Sequence, residues 1–265
     1  MSVILQVSDP HFGTERAPVV EALVALSKEL SPDLLVLSGD ITQRARSAQF
    51  ARAAAFVRTL APPHLLAIPG NHDIPLFDVA TRFLDPYRAY RKAFGDDLEP
   101  SFSAPDCLVL GVKTTRRYRH TDGEISEEQR ERIAGKLREA SPSQLRIVVV
   151  HQPVAVPRAA EVHNVAHGSD AAVRAWSEAG ADLILAGHIH LPFVVALHEM
   201  MAPLPRPLWA VNAGTAVSRR TRKDAGNSVN VLRTSKAEPR VCTLEQWAFS
   251  APNSAFLRTS ELRLG

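Results

Sequence analysis

The chain has 265 residues, of which 45% are hydrophobic and 22% are charged, and its formal net charge at neutral pH is +3. This composition is typical of an ordinary globular protein and excludes wholesale disorder. No apolar run approaches the roughly 20 residues that a membrane-spanning helix needs, so the sequence also excludes a membrane-embedded protein.

Strand-like and helix-like segments alternate through the first two-thirds of the chain. Short runs rich in Val, Ile and Leu predict buried strands at residues 3–7, 34–37, 65–68, 108–112, 147–150 and 183–185. Apolar residues three and four apart predict helices at residues 19–30, 50–60 and 133–137. Ser126 and Gln129 have the spacing of a capping box ahead of the last of these helices. The alternation favours an α/β fold with largely parallel strands.

From about residue 191 the pattern changes to strands joined by loops, without helices between them. The predicted strands cover residues 193–197, 208–211, 229–232 and 241–249. No flexible linker precedes them, so we expect residues 1–265 to form a single domain in which these strands complete a sheet.

Polar side chains follow five of the predicted strands at the point where each strand ends. The seven candidate ligands are Asp9 and His11, then Asp40, then Asn71, then His151, and finally His188 and His190; His72 directly follows Asn71. Because the carboxyl ends of parallel strands meet at one edge of a sheet, we expect these side chains to converge. His188 and His190 would face opposite ways on an extended strand, so they can share a site only if the chain leaves the sheet there, which Gly187 permits.

The residue types at these strand ends indicate a metal site. Carboxylates, imidazoles and one amide oxygen form a mixed N/O ligand set that suits Mn, Fe, Co or Zn. Seven ligands exceed what one such ion takes and suit two ions that share a bridge. Two aspartates leave a pair of divalent ions with net positive charge, which would attract an anion such as a phosphate ester. Paired metals about 3.5–4 Å apart clamp a phosphoryl oxygen and generate hydroxide for in-line attack, so the sequence predicts a phosphoester hydrolase.

These motifs resemble those of the calcineurin-like metallophosphoesterase superfamily, whose pattern is D-x-H, G-D, G-N-H-[DE], H and G-H-x-H. The five blocks stand complete and in order between residues 9 and 190. The resemblance implies a four-layer αββα sandwich of two mixed β-sheets flanked by helices, with a dinuclear metal site at the carboxyl ends of the strands. The strands from about residue 191 would complete the second sheet.

The resemblance also implies a role for each motif residue. One metal would be held by Asp9, His11 and His190 and the other by Asn71, His151 and His188, with Asp40 as the bridge. Asn71 and His72 would contact the substrate, and His72 would be the catalytic proton donor. We expect the two ions to be Mn²⁺ or Fe²⁺/Fe³⁺, with Zn²⁺ and Co²⁺ as alternatives. Asp73 is interpreted as an orienting partner or a helix cap.

Differences from the motifs of known subfamilies reduce the range of candidate substrates. The sequence after Asp40, Ile41-Thr42-Gln43, lacks the further acidic and arginine residues of protein phosphatases and the tyrosine ligand of purple acid phosphatases. His72 stands where lipid-linked sugar diphosphate hydrolases carry arginine. The remaining pattern is similar to that of bacterial class III cyclic-nucleotide and glycerophosphodiester phosphodiesterases.

We therefore predict hydrolysis of a small phosphodiester such as a cyclic nucleotide. A phosphomonoesterase, a pyrophosphohydrolase or a nuclease on the same site remains an alternative. A non-catalytic scaffold of the same fold is disfavoured because no motif ligand is missing.

Two clusters of loop arginines offer candidates for substrate binding. The first consists of Arg116, Arg117 and Arg119 and the second of Arg219, Arg220 and Arg222. Arg116 and Arg219 are the candidates that would grip the non-scissile part of an anionic substrate; solvated loop charge is the competing interpretation. His64, His120 and His198 are interpreted as structural. We expect a small anionic phosphoester as the partner, no membrane span and no nucleic acid, and leave homo-oligomers open.

The remaining sequence signals concern the cellular compartment. Cys107 and Cys242 are too few for a disulfide framework and are interpreted as core residues. The first residues carry no basic leader or cleavage site, so we expect a cytoplasmic protein.

Overall fold

The computed structural model describes residues 1–119, 121–201, 203–235 and 237–265, so His120 lies outside the described residues. Within them, the strands are β1 (Val3–Val7), β2 (Leu34–Ser38), β3 (His64–Ile68), β4 (Ser101–Ala104), β5 (Cys107–Gly111), β6 (Leu145–Val149), β7 (Leu183–Ala186), β8 (Phe193–Ala196), β9 (Trp209–Asn212), β10 (Ser228–Thr234), β11 (Cys242–Ser250) and β12 (Ala255–Leu264). The α-helices are α1 (Ala17–Leu30), α2 (Ser47–Leu60), α3 (Val79–Leu84), α4 (Arg88–Phe94), α5 (Glu127–Glu139), α6 (Ser169–Glu178) and α7 (Leu197–Met200).

The strands form two six-stranded sheets, and both sheets are mixed. The first has the order β12-β11-β10-β1-β2-β3, in which β1, β2 and β3 run parallel and the other three pair antiparallel. The second has the order β4-β5-β6-β7-β9-β8, with a parallel centre and an antiparallel strand at each edge. The predicted α/β class with two mixed sheets is confirmed.

Three apolar clusters hold the layers together. Both sheets contribute side chains to a shared core that includes Ile4, Val36, Ile147 and Leu185. Helices α1 and α2 pack on the outer face of the first sheet, and α5 and α6 pack on the outer face of the second. Strand residues alternate between the two faces of a sheet, so Leu5, next to Ile4, packs under α1 and α2. The layer order is therefore helix, sheet, sheet, helix.

The C-terminal strands divide between the sheets, which differs from the expected completion of the second sheet alone. Strands β8 and β9 do join the second sheet, whereas β10, β11 and β12 extend the first. Strand β10 pairs antiparallel with β1, where Leu5 lies opposite Val231. Val231 packs with the core under the helices and Leu232 with the core between the sheets, so β10 is suited to a position buried on both faces. It covers the edge of β1 that β2 leaves unpaired.

This topology directs five strand ends to one place. Strands β1, β2 and β3 are parallel in the first sheet, and β6 and β7 are parallel in the second. The loops that follow all five carry the polar motif residues. Among the described residues no helix is both long and apolar enough to cross a membrane.

Candidate metal centre

The loops after five strands bring the predicted site residues together. Asp9 and His11 follow β1, Asp40 follows β2, Asn71 and His72 follow β3, His151 follows β6, and His188 and His190 follow β7. Asp9, His11, Asp40 and His151 are almost completely buried, whereas His72 and His188 keep partial exposure. The site thus has a closed floor and an open rim.

The first group consists of Asp9, His11 and His190, whose candidate ligand atoms all lie within 4.8 Å of one another. The Nε2 atoms of His11 and His190 are 3.0 Å apart. Asp9 Oδ1 lies 3.3 Å from the Nε2 atom of His190. One carboxylate and two imidazoles that face each other this closely can hold a transition metal ion.

The second group consists of Asp40, His151 and His188, again with ligand atoms within 4.8 Å. His151 Nε2 lies 3.3 Å from Asp40 Oδ1 and 3.2 Å from Asn71 Oδ1. Asn71 therefore adds an amide oxygen to this group.

Asp40 lies between the two groups. Its Oδ1 atom faces His151 of the second group, while its Oδ2 atom lies 3.7 Å from His11 Nε2 of the first. A carboxylate that presents one oxygen to each group has the position of a bridging ligand.

Five of these residues have left-handed backbone conformations. The φ angles are 51° at Asp9, 43° at His11, 47° at Asp40, 69° at His188 and 55° at His190. Such angles are unfavourable for residues other than glycine and concentrate at functional sites. Here they take the chain out of the sheet after each strand, which allows His188 and His190 to face one site.

Two motif glycines allow backbones to approach closely in the site. A Cβ atom at Gly70 would lie 2.1 Å from the backbone nitrogen of Asp40, and one at Gly187 would lie 1.9 Å from Ser8 Oγ. Both distances are far shorter than any van der Waals contact. The loops after β3 and β7 can therefore reach Asp40 and Asp9 only with glycine at these positions.

Backbone carbonyls orient two of the histidines. His151 Nδ1 lies 2.8 Å from the carbonyl oxygen of Ser38, and His190 Nδ1 lies 2.6 Å from that of Arg220. Each Nδ1 donates its proton to the carbonyl, so Nε2 is the nitrogen that faces the site and can bind a metal ion once it has lost its own proton.

Asp73 joins the loop after β2 to the loop after β3. Its carboxylate accepts hydrogen bonds from the backbone nitrogens of Ile41 at 2.9 Å, Thr42 at 2.8 Å and Gly70 at 2.9 Å. Burial and the nearby Asp40 raise the pKa of Asp73 to about 7, against the three N–H donors that favour its charged form. Asp73 positions the loops of the site and does not reach the ligand atoms described above.

The carboxylates of the site stay charged despite their burial. Burial alone would raise the pKa of Asp9, but the proximity of His190 outweighs it and lowers that pKa to about 2. Burial likewise opposes ionisation of Asp40, and His151 nevertheless lowers the pKa of Asp40 well below its usual value.

The histidines divide into two kinds. Burial lowers the pKa of His11 to about 3 and, together with His151, that of His188 to about 4, so both rings are neutral at pH 7. Burial also disfavours the proton on His151, but Asp40 prevails and raises the pKa of His151 to about 9. Protonated histidine thus neutralises part of the negative charge of the buried carboxylates. A bound metal ion can replace that positive charge.

Unpartnered atoms in the floor fit metal ions. Among the described residues, Asp9 Oδ1 and His188 Nδ1 are buried without a hydrogen-bond partner. Buried polar atoms without partners are rare in native proteins and call for an explanation such as a missing ion. Together with the mixed oxygen and nitrogen donors, these atoms fit a pair of transition metal ions.

His72 lies at the rim, in contact with Arg220, a member of the second arginine cluster that was not the predicted substrate-binding residue. Its Nδ1 atom lies 3.0 Å from the carbonyl oxygen of Gln43, and its Nε2 atom lies 2.9 Å from Nη1 of Arg220. Its backbone nitrogen donates to Asp40 Oδ1 at 2.7 Å, which ties it to the floor of the site. Because Arg220 carries the hydrogen of this contact, His72 Nε2 accepts it and Nδ1 donates to Gln43.

The two predicted substrate-binding arginines have different surroundings. The guanidinium of Arg116 donates to Gln129 Oε1 at 2.6 Å and to the carbonyl of Lys113 at 3.0 Å, so its donors are used within its own loop and α5. Arg219 is exposed and lines a surface cavity with Arg220. Arg220 belongs to the same predicted cluster as Arg219, but three-dimensional contact alone shows which of the two touches His72.

Comparisons with known proteins identify the family of the chain. Residues 2–192 match the model of the calcineurin-like phosphoesterase family. A protein from Synechococcus sp., described as a probable cyclic nucleotide phosphodiesterase, is 26% identical over 203 residues, which cover 72% of this chain and 74% of that protein.

Solved structures share the fold at low sequence identity. A dimetal phosphatase from Danio rerio superimposes with a TM-score of 0.69 at 13% identity, covering 99% of this chain and 98% of that one. A purple acid phosphatase from yellow lupin superimposes with a TM-score of 0.72 at 11% identity, covering 99% of this chain and 53% of that one. The family match spans more than half of the chain, so the chain belongs to the calcineurin-like phosphoesterase family.

Proposed function

We propose that this member of the calcineurin-like phosphoesterase family hydrolyses a small phosphodiester such as a cyclic nucleotide. The observation that carries the proposal is the pair of ligand groups with Asp40 between them, and with His72 and Arg220 at their open side. The similarity to a probable cyclic nucleotide phosphodiesterase supports the choice of a diester.

Two metal ions fit the floor of the site. Asp9, His11 and His190 would hold one ion, and Asn71, His151 and His188 the other, with Asp40 between them. When bound, such ions polarise a phosphoryl oxygen and lower the pKa of a water molecule. We propose Mn²⁺ or Fe²⁺/Fe³⁺ because the donors mix carboxylate, amide oxygen and imidazole.

The side chains at the rim would bind and orient the substrate. The Arg220 guanidinium offers N–H donors to a phosphate oxygen, which is the geometry that arginine provides best. A phosphate bound between Arg220 and His72 would replace His72 as the acceptor of the Arg220 hydrogen bond. His72 Nε2 could then hold a proton towards the leaving-group oxygen, while its Nδ1–H stays on the Gln43 carbonyl and fixes the ring.

Hydrolysis of bis-p-nitrophenyl phosphate with added Mn²⁺ tests the proposal. We expect turnover that a chelator abolishes and added metal restores. Parallel rates on p-nitrophenyl phosphate, a pyrophosphate and single-stranded DNA separate the diesterase from the alternative reactions. Folded protein that shows no turnover of the diester with any of Mn²⁺, Fe²⁺, Zn²⁺ or Co²⁺ would contradict it.

A further inference from the structure

A cleft of about 590 Å³ is lined by chain segments that continue the loops of Asp40 and His72. Its walls are residues 44–46 of the β2–α2 loop with the first residue of α2, residues 75–78 ahead of α3, and parts of α3 and α4. Gln43, whose carbonyl oxygen holds His72 Nδ1, directly precedes the first wall. The second wall begins two residues after Asp73. We call this cavity the basic cleft.

The basic cleft carries an excess of positive charge. Four cationic side chains line it, and Asp78 is the one acidic residue among its lining residues; the cations are Arg44, Arg46, Arg88 and Lys92. The Asp78 carboxylate already caps α3, since it accepts from the Thr81 nitrogen at 3.0 Å and from Thr81 Oγ1 at 2.6 Å.

The four cations have no anionic partner in the described part of the chain. None of their charged groups lies within 4.0 Å of a carboxylate there. Ion pairs are common elsewhere on this surface, as between Asp85 and Arg91, which lies in α4 beside Lys92. Unpaired cations gathered in a concave surface concentrate positive potential and favour an anionic ligand.

An exposed aromatic ring stands at the mouth of the same cleft. Phe77 keeps 80% of its surface exposed. The guanidinium carbon of Arg44 lies 5.5 Å from the centre of its ring, in a cation–π contact. A flat ring beside cationic groups is the combination on which a nucleobase stacks while its phosphate is bound.

We propose that the basic cleft binds a nucleotide portion of the substrate that carries a phosphate group of its own, with the base on Phe77 and this phosphate among the arginines. The inference rests on the proposed function and narrows its substrate. A cyclic mononucleotide has a single phosphate, which would lie at the metal centre. The four cations of the basic cleft would then have no anion to bind. A dinucleotide with a terminal phosphate supplies both the scissile diester and a second anionic group.

The test compares substrates that differ in what they place in the cleft. The substrates are bis-p-nitrophenyl phosphate, cyclic AMP and a diadenylate with a 5′-phosphate. The variants are the Arg46→Ala/Arg88→Ala double variant and Phe77→Ser, with Arg138→Ala, an exposed arginine on α5, as the matched control. We expect kcat/KM for the diadenylate, divided by that for bis-p-nitrophenyl phosphate, to fall about tenfold or more in both cleft variants. In the control this ratio should match that of the wild type.

Calorimetric titration supplies a readout that does not depend on turnover. We expect 5′-AMP to bind more tightly than adenosine or inorganic phosphate, and its affinity to fall about tenfold in both cleft variants. Cleft variants that match Arg138→Ala in both measurements would overturn the inference, and so would equal binding of adenosine and 5′-AMP. A longer single strand that binds far more tightly than the diadenylate would overturn the assignment to a small ligand.

Failure of the proposed function is distinguishable from failure of the cleft. If the protein does not hydrolyse bis-p-nitrophenyl phosphate but the cleft variants bind 5′-AMP more weakly, the nucleotide site is supported and only the hydrolase proposal is contradicted. If bis-p-nitrophenyl phosphate is hydrolysed but the diadenylate is not preferred over cyclic AMP, the hydrolase proposal is supported and a role of the cleft in substrate binding is contradicted.

Discussion

Nη1 of Arg220 lies 2.9 Å from Nε2 of His72, so an arginine that follows β9 meets a histidine that follows β3. The same Arg220 accepts a hydrogen bond from His190 Nδ1 through its backbone oxygen. One residue therefore contacts both the rim and the floor of the metal centre, and its two contacts can be separated by mutation.

Arg220→Ala removes the guanidinium and keeps the carbonyl that orients His190. We expect kcat/KM for bis-p-nitrophenyl phosphate to fall by about ten- to a hundredfold, because a charged hydrogen bond to phosphate is worth about 1.5–3 kcal/mol. Metal content should stay at the wild-type level. Arg219→Ala is the matched control, and an equal loss in that variant would show that general loop charge, and not the contact with His72, is responsible.

Asp40→Ala should abolish activity and loosen both metals together, because Asp40 presents one oxygen to each ligand group. We expect metal content after dialysis against a chelator, measured by mass spectrometry, to drop for both ions in parallel. Asp170→Ala, an exposed aspartate on α6, controls for the loss of a carboxylate. Retention of both ions with near-normal turnover would remove Asp40 from the bridging position.

Metal affinity should rise with pH up to about 9. In the metal-free protein the raised pKa of His151 means that its proton stabilises the fold fully below the unfolded value near 6.5. That stabilisation is lost as the pH rises through about 9. A cation must displace this proton, so binding becomes easier as the proton leaves. Competition with a chelator at several pH values, with proton release measured in parallel, checks the sign; affinity independent of pH between 6.5 and 9 would contradict it.

Gly70→Ala should damage the site through the backbone. The added Cβ would lie 2.1 Å from the nitrogen and 2.8 Å from the Cα of Asp40, neither of which can move aside. We expect a loss of about 1–3 kcal/mol in the free energy of unfolding, together with weaker metal binding.

Gly135→Ala is the matched control for this substitution. It lies in α5, where the new Cβ would have no atom within 4 Å apart from its chain neighbours and the backbone of the helix itself, and it should stabilise the protein by about 0.5–1 kcal/mol. Urea unfolding of both variants measures the difference. Equal stabilities would show that the close approach at Gly70 is not required.

The sequence predicted the strands that carry the site because their signals are local. Strand β1 has the predicted bounds, and buried runs of Val, Ile and Leu located β2, β3, β6 and β7 to within a few residues. Within each sheet the convergence of the motif residues followed from parallel strands, whereas the meeting of the two sets depends on the packing of the two sheets. Whether these side chains hold metal stays a prediction.

Other elements escaped prediction because tertiary structure decides them. Helix α3 exposes Val79, Phe83 and Leu84 and buries Arg82, which reverses the usual amphipathic pattern. Arg82 is held there by carbonyl oxygens, including that of Arg117 at 2.8 Å from its Nε atom. The helix therefore depends on long-range hydrogen bonds that no periodicity in the sequence reveals.

Arg220 was missed for a related reason. Two adjacent arginines of one loop have the same local signal, and the sequence favoured Arg219. Only the approach of the loop after β9 to the loop after β3 distinguishes them.

The left-handed conformations at the site constrain how this protein can evolve. At Asp9, His11, Asp40, His188 and His190 the chain tolerates few side chains for steric reasons, whatever their affinity for metal. Natural or laboratory variants that abandon catalysis should drift at these positions towards asparagine or glycine, which accept the conformation, and avoid valine and isoleucine, which resist it. A homologue that has lost its chemistry would thus keep a recognisable backbone imprint of the former active site.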